Sequence, residues 1–144
     1  MDALPGLSWI GSSAWAYPAL EVVHLFGVAL LVGNLVAFES RVLGWAGELS
    51  VPALARLSLV LAVLGFGLVA LSGLTLFAAH PGEMLANPAF VLKMALVMAA
   101  GINAAAFHAR DGLRRLDGIA RAQTLVSLGL WIGAMICGRW IAYA

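Results

Sequence analysis

Residues 57–79 read LSLVLAVLGFGLVALSGLTLFAA, with no charged side chain anywhere in the run. A span of about 20 apolar residues is what a helix needs to cross the hydrocarbon of a bilayer. In lipid the backbone must satisfy its own hydrogen bonds, so the run is predicted to be a helix and not a strand. A helix that is apolar on every side is not shaped for a water-facing surface.

Outward from this run the same pattern recurs three times. Apolar stretches cover about 17–42, 88–109 and 122–143, each long enough to span. Pro18 and Pro88 fall near helix starts, where the missing N–H costs little. Pro52 lies in a connection, and Pro81-Gly82 marks a turn. The chain is therefore expected to be all-α, one transmembrane domain of 144 residues built as a four-helix bundle. Residues 1–16 are too short to span and are expected to lie along an interface.

Composition agrees. Hydrophobic residues make up 63% and charged residues 10%, against about 25% charged in an ordinary soluble domain. Net charge is +1, which gives no basis for a nucleic-acid partner. One cysteine, Cys137, excludes an internal disulfide. The start, Met1-Asp2, lacks the basic residues of a cleaved signal peptide.

Arginines set the expected orientation. Arg41 and Arg56 flank the first connection; Arg110, Arg114, Arg115 and Arg121 flank the third. The positive-inside rule puts these connections in the cytoplasm and both termini on the outer, periplasmic side of a bacterial inner membrane. Trp9, Trp15, Tyr17, Trp140 and Tyr143 would then form an outer aromatic belt, with Trp45 on the inner side. Ala29/Gly33 and Gly129/Gly133, each four apart, are candidate close-contact pairs. Such faces predict self-association or membership of a membrane complex.

Ionisable groups inside a membrane are costly and demand a reason. His24 lies roughly 10 Å below the outer boundary, Lys93 roughly 8 Å and Arg139 roughly 6 Å, from the rise per residue. Glu21 is one turn above His24, and His80 ends the second span on the same side. Lys93 and Arg139 could snorkel to headgroups, Glu21 could neutralise a cation, and His80 could be a helix-end residue. His24 is the hardest to explain without a ligand. An imidazole for iron, an apolar slot between helices and cations for two propionates together describe a haem b site. In that reading His24 is the metal ligand, and Lys93 and Arg139 face the propionates. Met135, at a similar depth, is a candidate second ligand beside Met94 and His80. Deeper in the chain, Asn34 and Asn103 are expected to bond across helices. His108 is expected at a helix end beside Arg110.

Several stretches carry a family resemblance: residues 24–33 (HLFGVALLVG), Arg41-Val42-Leu43-Gly44, Asn87 through Lys93, and Asn103 through His108. Together they resemble a group of small bacterial four-helix membrane proteins related to the membrane domain of copper resistance protein D and to HemJ-type protoporphyrinogen oxidases. His24 and Lys93 stand where those oxidases carry a haem-binding histidine and a required lysine, so the resemblance implies haem b at His24. It does not by itself imply the oxidase activity.

The function expected is electron transfer or a haem-dependent redox reaction, such as porphyrinogen or quinol oxidation. The partner would be membrane lipid plus a quinone or a redox protein. The alternatives are copper binding or transport through His24, His80 and methionines, or a structural small subunit of a membrane complex.

Overall fold

A computed structural model describes residues 4–144. Seven helices follow one another: α1 (Ser8–Ser12), α2 (Ala16–Val42), α3 (Val51–Ala79), α4 (Pro81–Ala86), α5 (Pro88–Ala109), α6 (Gly112–Arg115) and α7 (Gly118–Trp140). No strand occurs among the described residues. Four helices, α2, α3, α5 and α7, have 27, 29, 22 and 23 residues and are long and apolar enough to cross a membrane. The shortest is about 33 Å long at the α-helical rise.

The second span starts at Val51, earlier than the charge-free run suggested, because Ser50 caps it and Pro52 sits in its first turn. Arg56 is thus in the first turns of α3, on the flank of the first connection. The fourth begins at Gly118, where Asp117 accepts a hydrogen bond from the Ala120 N–H at 2.9 Å, and it ends at Trp140. Pro81-Gly82 opens the short helix α4 rather than a plain turn. Of the 1–16 interfacial segment, residues 1–3 lie outside the described residues; the remainder forms α1 and its flanks, tied to α3 by the Leu4 N–H on the Ala78 carbonyl.

The spans pair as two antiparallel hairpins, α2 with α3 and α5 with α7, and the hairpins meet mainly where α2 touches α7. The packing is inside out relative to a soluble bundle. On α3 the buried residues are Val51, Ala55, Ser58, Ala62, Gly65, Ser72, Ala78 and Ala79. Most recur at intervals of three and four, so they form one seam of small side chains. Leu57, Val63, Leu64, Leu71 and Leu74 of the same helix point outward. Small seams bring backbones close, and the large apolar side chains are left for lipid.

The closest approach is at Gly65. A Cβ there would lie 2.6 Å from the Leu31 backbone nitrogen and 2.8 Å from the Gly27 carbonyl oxygen. The expected Ala29/Gly33 contact is not made inside this chain, since Gly33 has open space around it. On α7, Gly133 packs against Leu96 of α5 while Gly129 faces open space. Gly27 and Gly65, not the pairs expected, set the spacing of the first hairpin.

One end of the bundle carries α1 and the end of α7. The opposite end gathers Arg41, Arg56, Arg110, Arg114, Arg115 and Arg121. There Phe38, Val42, Ala55, Phe107 and Ala120 form an apolar cluster. Trp9, Trp15, Trp140 and Tyr143 are exposed at the terminal end and Trp45 at the other, as aromatic belts require.

Candidate functional site

His24 lies on the α2 seam that faces α3, three residues before Gly27. Its Nδ1 is 2.9 Å from the Ser72 hydroxyl. That hydroxyl is itself 2.5 Å from the Leu68 carbonyl, to which it donates. With its proton committed, the Ser72 oxygen can only accept, so Nδ1 carries the ring proton and Nε2 keeps a lone pair. Nε2 has no hydrogen-bond partner among the described residues. Gly73 makes room for the ring: a Cβ there would stand 3.2 Å from His24 Cε1. Ser72 and Gly73 together form a seat for the imidazole on α3.

The cradle follows from local sequence. A serine in mid-helix usually bonds the carbonyl one turn back, which fixes the Ser72 hydroxyl in one rotamer. The neighbouring glycine then leaves the gap the imidazole fills.

Lys93 enters from α5. Asn87 caps that helix, accepting from the Ala89 N–H at 3.0 Å, and donates to the Ile141 carbonyl at 2.9 Å. This fastens the start of α5 to the end of α7. Lys93 is half-buried against α7, where a Cβ on Gly138 would lie 3.4 Å from Nζ and 3.6 Å from Cε. Its ammonium is near enough to His24 for its charge to act there. His24 and Lys93, one from each hairpin, are the two expected site residues that the fold brings into one electrostatic neighbourhood.

The other candidates sit elsewhere. Arg139 donates to the Tyr143 hydroxyl at 2.8 Å and lies over that ring, an exposed arrangement at the end of α7. Glu21 is exposed on α2. His80 is packed edge-on to Tyr17 and against Gly11, with Glu83 at 3.9 Å. Met135 and Met94 are 41% and 44% exposed, so both side chains lie largely on the outward surface.

Asn34 and Asn103 do not bond each other. Asn34 donates to the Leu30 carbonyl of its own helix at 2.7 Å, and Asn103 donates to the Gln123 carbonyl of α7 at 2.8 Å. His108 is exposed near the end of α5 against Phe107.

A haem needs one lone pair on an oriented imidazole, an apolar slot and a cation near its acid groups. Of these, His24 offers the imidazole and Lys93 the cation, while the cavity between the hairpins lies toward the arginine-rich end beside Glu39 and is lined by neither. Among the described residues no three His, Cys, Asp or Glu side chains come together as a cluster for a bare metal ion. Ser72, Gly73 and Gly138 escaped the reading of the sequence. The signal for the first two was depth: Ser72 stands seven residues from the end of its span and His24 eight from the start of its own, which is one level in an antiparallel pair. No family model, no curated protein and no solved structure matches the chain.

Proposed function

We propose that this chain is a multi-pass membrane haem b protein that moves electrons, in which His24 Nε2 would hold the haem iron. The observation that supports it most is the Ser72 hydroxyl on Nδ1. Ligand histidines almost always donate their second ring nitrogen to a fixed acceptor, which sets tautomer and orientation and raises the basicity of the ligating nitrogen.

Bound haem would supply one-electron redox chemistry between the hairpins. The protein's own groups do the rest. Ser72 holds the imidazole against α3, Gly73 leaves it room, and Lys93 would offer a cation to a propionate from the facing hairpin. Arg139 and Glu21 lie nearer the terminal end and would tune the approach of an external partner. The arginine-rich connections argue for a cytoplasmic location of their own end and for termini outside.

The test is the visible spectrum of the protein purified from haem-replete cells. We expect a Soret band with sharp α and β bands on reduction. His24→Ala should abolish it while His108→Ala leaves it intact. A colourless wild-type preparation, or a His24→Ala variant with full haem, would defeat the proposal.

A further inference from the structure

Glu39 is the most deeply buried acid among the described residues, 4% exposed, and its Oε2 has no hydrogen-bond partner among them. It lies on α2, fifteen residues beyond His24, or about 22 Å further along the helix. The haem proposal makes no use of it. A buried polar atom without a partner costs on the order of 1–3 kcal/mol. Natural structures keep few of them, and each calls for a reason.

The carboxyl borders a cavity of about 270 Å³ between the two hairpins, toward the arginine-rich end. Ser127 of α7 stands beside it. Asn103 and His108 of α5 lie on another wall. Asn103 uses its amide nitrogen on Gln123, which leaves its carbonyl oxygen available. Phe38, Phe66, Phe107 and Trp131 supply aromatic wall. The cavity opens sideways: Val63 and Phe66 line it and are also 70% and 45% exposed on the outer surface of α3. A ligand would therefore enter from the bilayer and not from water.

We propose that this cavity binds the head of a lipid-soluble quinone. The ligand must be apolar enough to arrive through lipid. It must be planar to lie among aromatic rings, and it must carry hydrogen-bonding oxygens at two edges for Glu39 and Ser127 on one side and the Asn103/His108 wall on the other. The volume suits the head alone, since sites for whole drug-sized molecules begin near ~300 Å³; the tail stays in lipid. Protonated, Glu39 donates to the ring's carbonyl; ionised, its orphan oxygen accepts from the ring's hydroxyl. This site goes beyond the haem reading and does not need it.

An azido-substituted benzoquinone with a decyl tail, photolysed with the full chain in detergent and mapped by mass spectrometry, tests the site. Label competed by the unsubstituted decyl quinone should fall on Phe38–Glu39, Phe107–His108 or Ser127–Trp131. Glu39→Leu should lower competed labelling about tenfold, Glu39→Gln by less than threefold, and His24→Ala not at all. Haem loss in His24→Ala with labelling intact keeps the two proposals separate. Equal labelling of wild type and Glu39→Leu, or label that the decyl quinone does not compete, would mean a cleft for hydrocarbon only and overturn the site. Should Glu39→Leu fail to fold, the wild-type map decides: competed label outside those three segments overturns it equally.

Discussion

At the scale of single residues, the difference between His24 and the other ionisable groups is what each side chain touches. Ser72→Ala removes the acceptor on Nδ1 without adding bulk. Lost outer partners of a ligand histidine commonly cost 10–100-fold in affinity. We expect Ser72→Ala to retain haem but to lose it to an apo-globin acceptor at least tenfold faster than wild type. Gly73→Val puts branched carbon where the ring sits, 3.2 Å already being the clearance for a single Cβ. It should prevent haem binding with the helical circular dichroism unchanged. Asp117 offers a pH test outside the spans. Its carboxyl is held below the usual carboxylate range, first by the bond from the Ala120 N–H and then by Arg110. A lowered folded pKa means stability that is full above the unfolded value of about 4 and lost as pH falls through the folded one. The thermal midpoint in detergent should drop on acidification below about pH 4, and Asp117→Ala should start lower and drop less.

At the scale of helices, the crossing of α2 and α3 at Gly27 and Gly65 decides the hairpin. A side chain at Gly65 would meet backbone atoms at 2.6 and 2.8 Å, and backbone cannot rotate away as a side chain can. Gly65→Leu should cost at least the 1–3 kcal/mol typical of overpacking, read as a lower unfolding midpoint in sodium dodecyl sulfate titration. Gly33→Ala, with open space around it, should cost nothing measurable. Helix existence was legible from the sequence because crossing a bilayer needs an unmistakable length of apolar residues. Helix faces were not, because a span that is apolar all round gives no moment to follow. The seam of Ala, Ser and Gly on α3 was the available clue, and it points the reverse way from a soluble helix. The site followed the same rule. His24 and Lys93 stood out because charge in lipid is rare, while Ser72 and Gly73 looked like ordinary membrane-helix residues until the pairing of α2 with α3 put them against the ring.

At the scale of the whole molecule, an even number of spans puts both termini on one side. The gathered arginines predict that side to be external. Alkaline phosphatase fused after Ala144 should be active, and fused within the Leu43–Ser50 connection or after Leu116 it should not. Activity at the connections and silence at the C-terminus would reverse the orientation and with it the side from which an electron partner reaches His24.

The one covalent link between the two hairpins runs through α4, six residues long, and each already contains a complete down-and-up crossing. A gene severed within Pro81–Ala86 would encode two fragments that can each enter the bilayer unaided. Co-expressed, they should find one another, since the imidazole travels with the first fragment and the lysine with the second. Colour in such cells would then report reunion of the halves, and neither half alone should acquire a cofactor stable enough to survive purification.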